Sequence, residues 1–225
     1  MSKCESCIIK EFNSLKSLTR EELMRVSACK TGKIYRKGQV IFEEGETLNG
    51  VYCVRDGVCK LTKLSENGKD QVVKLVVKGD LLGKRSLVSD QKTNLSAVAL
   101  NDMEMCFIPK SEIIDDLSKN PKFTMDVLRE MANDLKDSDV SLVNMAQKSV
   151  KRRMAEILMY SHDNFGTDDE GYLSIVLSRE DYASIVGTAT ESAIRILSQF
   201  KKEALISTTG KRIKIEDYNG LKWIE

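Results

Sequence analysis

Between residues 32 and 108 short β-prone segments alternate with glycine-centred turns, and this pattern constrains the fold more than any other feature. The segments are Ile34–Tyr35, Gln39–Phe42, Val51–Val54, Val58–Leu64, Gln71–Val77, Leu95–Leu100 and Met103–Ile108. The turns are Arg36-Lys-Gly38, Glu44-Gly45, Asp56-Gly57, Asn67-Gly68 and Lys78-Gly79. Asp-Gly and Asn-Gly are strong hairpin signals, because both central residues of a type I′ turn need positive φ. Many short strands at regular spacing predict a small β-sandwich or barrel.

Both prolines, Pro109 and Pro121, mark the change from this pattern to a helical one. Before it, residues 11–30 read as a short amphipathic helical region on Leu15, Leu18, Leu23 and Val26, with Thr19 and Glu22 as a capping box. After Pro109, Ile113, Ile114 and Leu117 suggest a short helix. Pro121 opens a longer one, in which Leu128, Met131, Leu135, Ser138, Leu142 and Met145 form a heptad seam flanked by charges. Such a narrow stripe suits a two-stranded coiled coil between subunits; a single stripe buried in its own domain is the alternative. At 225 residues the chain is long enough for two domains.

Residues 147–225 form a third pattern. An amphipathic stretch, Gln147–Ser161, begins with Lys148, Lys151, Arg152 and Arg153. An acidic loop, Phe165–Gly171, leads into a short β-like run, Tyr172–Leu177. Two compact helical stretches divided by Gly187 follow, and Leu205–Ser207 with Arg212–Ile215 read as a two-stranded wing around Thr208-Thr209-Gly210-Lys211.

The segment Leu177–Phe200 carries most of the functional information. Ser178 with Asp181 is a capping box that starts a helix at Arg179. Ala183 is small, as a close helix crossing requires, and Ile185 and Val186 supply core. Gly187 permits the tight turn. Thr188 with Glu191 reads as a second capping box, and Ala193, Ile196 or Leu197, and Phe200 as the buried stripe of the next helix. Thr190, Glu191, Ser192 and Arg195 remain on the opposite face near its start, where a recognition helix enters the major groove. Arg195 can donate two hydrogen bonds to guanine, and Glu191 can accept one from cytosine. Ile194 can pack on a thymine methyl or serve as filler, while Arg179, Thr188 and Lys211 complete the candidate DNA-binding residues. An ordinary i,i+4 ion pair between Glu191 and Arg195 is the competing reading.

Net charge is +1, from 35 Lys and Arg against 34 Asp and Glu, so bulk charge cannot hold nucleic acid and any binding must be local. The positives of the C-terminal part cluster at Lys148–Arg153, Lys201–Lys202 and Lys211–Lys214, suited to phosphates. No apolar run reaches membrane-spanning length, and the start lacks a signal-peptide cleavage site, so a cytoplasmic chain without a membrane partner is expected. Its six cysteines are expected as reduced thiols, with Cys53 and Cys59 as core residues. One histidine, His162, argues against His-based catalysis. Neither a P-loop nor a nucleophile elbow is present, and the chain is not expected to be an enzyme.

Taken together, the glycine-punctuated segment, the long helix and Leu177–Phe200 with its wing resemble the Crp/Fnr family of bacterial transcription regulators over nearly the whole chain. The motifs are Arg36-Lys-Gly38, Glu43-Glu-Gly45-Glu, Val54-Arg-Asp-Gly57 and Lys78-Gly-Asp-Leu-Leu-Gly83. The resemblance implies an α+β chain: a jelly-roll-like, cyclic-nucleotide-binding-like β-roll sensor over 1–120, a dimerisation helix over 121–146 and a winged helix-turn-helix over 147–225. It further implies a homodimer on a palindromic double-stranded operator, touching RNA polymerase. Glu191 and Arg195 match the family's base-reading positions; Thr190 and Ile194 depart from it and leave the operator open.

The family's nucleotide cassette has a glutamate after Gly83 and an Arg-Ser pair further on; here stand Lys84 and Asn94-Leu95-Ser96. An ammonium cannot accept hydrogen bonds from a ribose diol, so the residues argue against cAMP in the usual pose. Gly83, Lys84, Arg85 and Ser96 are the candidate effector pocket, with Lys84 and Arg85 either holding another anion or standing solvated. Cys4-Glu-Ser-Cys7 and Cys106 resemble the oxygen-sensing branch, which holds an iron–sulfur cluster on four cysteines. The cysteine expected shortly after Cys7 is absent from Ile8–Asn13, and Cys29 would have to substitute. Two alternatives to the effector-free reading therefore stay open: a redox or iron–sulfur sensor on Cys4, Cys7 and Cys106, and a small-ligand sensor in the β-roll.

Overall fold

The structure is a computed structural model that describes residues 4–66, 68 and 70–225. Contacts divide the chain into two compact units. The first runs to Leu64 and from Val73 to Asp137, and the second comprises Ser65–Val72 and Ser138–Glu225.

Eight strands form the β-roll: β1 (Thr31–Tyr35), β2 (Val40–Phe42), β3 (Gly50–Asp56), β4 (Cys59–Leu64), β5 (Asp70–Val76), β6 (Leu81–Leu82), β7 (Ser96–Ala99) and β8 (Met103–Pro109). They make two four-stranded sheets, in the orders β1-β8-β3-β6 and β2-β7-β4-β5. Strand alternation sends neighbouring side chains into different cores. Tyr52 and Val54 of β3, with Met103 and Met105 of β8, join Phe42, Cys59, Val76, Leu82, Ala97 and Ala99 in one core. Val51 and Cys53 of β3, with Cys106 and Ile108 of β8, enter a second. That second core is closed by Leu23 and Val26 of α1 (Arg20–Cys29), Ile113 of α3 (Lys110–Lys119), and Phe123 and Val127 of α4 (Pro121–Gln147). Each such large apolar side chain contributes about 1.5–3 kcal/mol on burial.

The expected strands are present, and the expected helical start at 11–30 resolves into 3-10 turns at Ile8–Phe12 and Ser14–Ser17 followed by α1, which carries the Thr19–Glu22 capping box. Gly57 shows why the turns need glycine: its φ is +88°, and a Cβ there would stand 2.6 Å from Met103 Cγ. Asn67 of the Asn67-Gly68 turn lies outside the described residues. Two elements were not anticipated, the two-residue β6 and α2 (Lys84–Ser89). Along α4, Leu128, Leu135 and Leu142 of the seam are 50%, 64% and 71% exposed within one chain, whereas Met131 of the same seam packs against the second core, so the stripe is covered at one position and open at these three.

The second unit contains α5 (Val150–Phe165), α6 (Arg179–Val186), α7 (Thr190–Lys202), β9 (Ile206–Thr209), β10 (Arg212–Ile215) and α8 (Tyr218–Lys222), the last also unanticipated. The expected strand at Tyr172–Leu177 does not form; only an isolated bridge joins Thr167 to Leu173. Its alternation is nonetheless used, because Leu173, Ile175 and Leu177 are buried and Leu173 N donates to Ile213 O at 2.8 Å. An extended segment with one bridge to its neighbours satisfies that pattern without a ladder.

Candidate nucleic-acid interface

α6 begins where Ser178 and Asp181 predict. Ser178 Oγ accepts from Asp181 N at 3.0 Å, and Asp181 accepts from Ser178 N at 2.9 Å. Tyr182, Ala183 and Val186 are buried, whereas Ile185 is only half-buried. Gly187 ends α6 in the left-handed region at φ +66°. The second capping box does not form: α7 starts at Thr190 behind Ala189, with no side-chain cap. Thr188 instead lies in the turn, where its N–H donates to Ala183 O at 3.0 Å. The turn is thus closed by backbone, which leaves the Glu191 carboxylate uncommitted.

On α7, Ala193, Leu197 and Phe200 face inward and Ile196 is half-buried, which settles the stripe in favour of Leu197. Glu191, Ile194 and Arg195 are exposed, and Thr190 and Ser192 are half-buried. The i,i+4 ion pair is absent: neither the Glu191 nor the Arg195 side chain has a hydrogen bond or salt bridge among the described residues. A cation and an anion on one face of the first turns, both without intramolecular partners, can address base edges.

Beside this face β9 and β10 pair antiparallel, with Arg212 opposite Thr209, and form the expected wing. Lys211 is exposed at its tip. Arg179 reaches the same tip, with Nη2 3.4 Å from Gly210 O, and its Nη1 is buried without a partner.

Several cations of two of the three basic clusters are engaged within the protein, although Lys211 stays exposed. Arg212 is bound by Asp168 at 2.7 Å and Glu170 at 3.3 Å and stacks 4.1 Å from the Tyr172 ring, so the acidic loop neutralises part of the wing. The Arg212 hydrogen bond holds the Asp168 carboxyl below its usual range. At the start of α5, Arg153 donates to Val186 O, Met145 O and Lys148 O at 2.9, 3.0 and 2.6 Å. It thereby satisfies terminal carbonyls of helices. Arg152 binds Glu156, Lys222 O and Ile224 O; Lys148 pairs with Glu156, and Lys151 with Glu203. Lys201 and Lys202 remain exposed.

The four effector candidates do not share one arrangement. Gly83 turns at φ +86° into α2. Lys84 is buried to 18% exposure, with Nζ 3.2 Å from Glu130 and 2.9 Å from Asp134 of α4. Lys74 pairs with the same Asp134 at 2.7 Å. Burial opposes ionisation of Asp134, yet its hydrogen bonds from Lys74 and Lys84 keep it below its usual range. Lys84 is therefore committed to α4, neither solvated nor open to an anion. Arg85 is exposed, and Ser96 Oγ accepts from Glu44 N at 2.9 Å.

All six cysteines are free thiols. Cys4 and Cys106 are buried in the core behind β3 and β8, and Cys7 packs against it. Cys53 joins them there, directly opposite Cys106 in the β3–β8 register. Cys29, the substitute that spacing suggested, is exposed at the end of α1. Strand register, which sequence spacing does not show, brings Cys53 in.

The comparisons agree with this geometry. Residues 33–120 match the family model of a cyclic nucleotide-binding domain, and residues 152–224 that of a Crp-like helix-turn-helix domain. The chain is 30% identical over 225 residues to the anaerobic regulatory protein of Haemophilus influenzae, covering 97% of this chain and 86% of that one. It is 29% identical to the fumarate and nitrate reduction regulatory protein of Vibrio cholerae, over 94% of this chain and 86% of that one. In fold it is similar to FixK2 from Bradyrhizobium japonicum, with TM-score 0.74 and 23% identity, covering 86% of this chain and 96% of that one. The first two relatives are named as regulatory proteins, and among the described residues no helix is long and apolar enough to cross a membrane. A β-roll, a long helix and a winged helix-turn-helix with an unpaired polar face place the chain in the Crp/Fnr family of DNA-binding transcription regulators.

Proposed function

We propose that the protein acts as a homodimer, paired along α4, which reads a palindromic operator through Thr190, Glu191, Ser192, Ile194 and Arg195 and works without cAMP. The observation that carries this reading is the unpaired, exposed Glu191 and Arg195 on one face of the first turns of α7. Arg179, Thr188 and Lys211 flank that face and serve the phosphates. The exposed seam of Leu128, Leu135 and Leu142 supports the pairing, since an apolar stripe this open needs a partner. Engagement of Lys84 by Glu130 and Asp134 supports the exclusion of cAMP, because that ammonium offers a ribose no acceptor. Contact with RNA polymerase and residence in the cytoplasm follow from the family resemblance.

The test is to isolate bound duplexes from fragmented genomic DNA and to measure the mass of the complex by sedimentation. We expect two chains per duplex and two related half-sites whose centres lie about one helical turn apart. A single chain on an asymmetric site would overturn the dimeric reading.

A further inference from the structure

We propose that Arg212 is a phosphate-binding residue of the DNA interface, and that the Asp168 and Glu170 carboxylates occupy its guanidinium in the phosphate's place until DNA displaces them. The inference rests on the regulator reading and lies wholly within the second unit. Arg212 stands on the wing directly after the exposed Lys211 and opposite Thr209. Its Nη2 donates to Asp168 Oδ2 at 2.7 Å, and its Nη1 lies 3.3 Å from Glu170 Oε2. A guanidinium fork spread over anionic oxygens is also how arginine takes a phosphate. The same wing tip carries Gly210 O, 3.4 Å from Nη2 of Arg179, so Arg212 stands next in the chain to the cations that flank the reading face.

Neither the loop nor the wing needs this ion pair to close. Asp168 closes its own loop with the other oxygen: Oδ1 accepts from Glu170 N at 3.1 Å and from Tyr172 N at 3.0 Å. Gly171 N adds a bond to Asp168 O at 2.9 Å. The wing closes through its own β9–β10 ladder, and Leu173 N donates to Ile213 O. Tyr172 OH and Thr209 Oγ1, 2.8 Å apart, tie loop to wing without any charge. Loop and wing therefore keep their shapes and their contact when Arg212 leaves, which is what an exchangeable pair requires. The pair is also wet: the Arg212, Asp168 and Glu170 side chains are 34%, 38% and 69% exposed, so its net strength is small.

Charge explains why the loop competes. It presents Asp168, Asp169 and Glu170, all exposed, to a wing that carries Lys211, Arg212 and Lys214. Lys214 lies along the end of the loop, where a Cβ on Gly171 would stand 3.1 Å from its Cε. Acids and cations cancel, so the folded wing offers the phosphate backbone little net field. A phosphate that takes Arg212 must displace both carboxylates and then tolerate them nearby, and both effects lower affinity. The loop is a built-in phosphate competitor, and it keeps sequence-independent binding weak.

The experiment titrates the full chain against a labelled duplex of mixed sequence over a range of salt, alongside thermal melting. The unmodified protein is compared with Asp168→Asn plus Glu170→Gln, with Arg212→Ala, and with all of these substitutions combined. Asparagine at 168 keeps the oxygen that closes the loop and removes only the charge. We expect the loop variant to bind roughly two- to tenfold tighter, the equivalent of the exposed pairs that DNA no longer has to break, although it melts no higher. Arg212→Ala should bind more weakly, with a salt slope shallower by about 0.9, the share of one phosphate contact. Without Arg212 the loop substitutions should tighten binding by clearly less. A loop variant that binds no tighter than the unmodified protein makes the loop a structural brace and overturns the proposal. Equal tightening with and without Arg212 overturns it too, since repulsion alone then acts. Failure of the unmodified protein to bind any duplex is distinct, because it removes the regulator reading and this proposal with it.

Discussion

Gly187 and Arg153 together hold the helix-turn-helix in shape, and only one of them announces its role in the sequence. Gly187 does: its φ of +66° is the conformation a tight turn needs, and a Cβ there would meet Met145 Sδ at 3.2 Å. Gly187→Ala should cost about 1 kcal/mol or more of stability, read as a lower midpoint in thermal or urea unfolding. Arg153 does not, since a run of basic residues reads as a phosphate patch until the carbonyls it caps are in view. Arg212 is similar, because its acidic partners Asp168 and Glu170 are over forty positions away. The folded-state pKa of Asp168 is lowered by Arg212, so the pair stabilises the protein above the unfolded value and ceases to do so as pH falls through the lowered one. The stability difference between the unmodified protein and Asp168→Asn should accordingly shrink as acid is added below the ordinary aspartate range of about 3.9, and a difference unchanged by pH would refute it.

Among the elements, α4 is the one whose residues serve two purposes. Its outer seam was legible from heptad spacing, and the exposure of Leu135 and Leu142 shows it uncovered in one chain. Leu142→Glu should convert dimer to monomer in sedimentation without lowering the melting midpoint of the β-roll. Its inner side was not legible: nothing local in Lys74, Lys84 or Asp134 says that two lysines from the roll meet one aspartate of the helix. Asp134→Asn removes the carboxylate paired with Lys74 and leaves Lys84 with Glu130 alone, and should cost roughly 1–3 kcal/mol, between the limits for surface and buried pairs. Strands were readable because glycine turns and alternation are local signals. β6 and α8 were not, being too short for periodicity to register. The same limit explains why 172–177 read as a strand although only one bridge forms there.

At the scale of the whole molecule, near-neutral net charge makes DNA affinity depend on a few placed cations. Affinity should fall with salt, and Lys211→Ala should reduce the slope of log affinity against log salt by about 1 while leaving sequence preference intact. Arg195→Ala should behave differently, since a base-reading side chain sets choice as well as affinity, at a cost of roughly 1–3 kcal/mol. A randomised-duplex selection run with the unmodified protein and Arg195→Ala side by side separates the two roles most directly. A symmetric motif for the unmodified protein, with preference lost at one matched pair of positions in the variant, is the predicted result. Identical motifs from the two proteins would contradict the assignment of this face of α7 to the major groove.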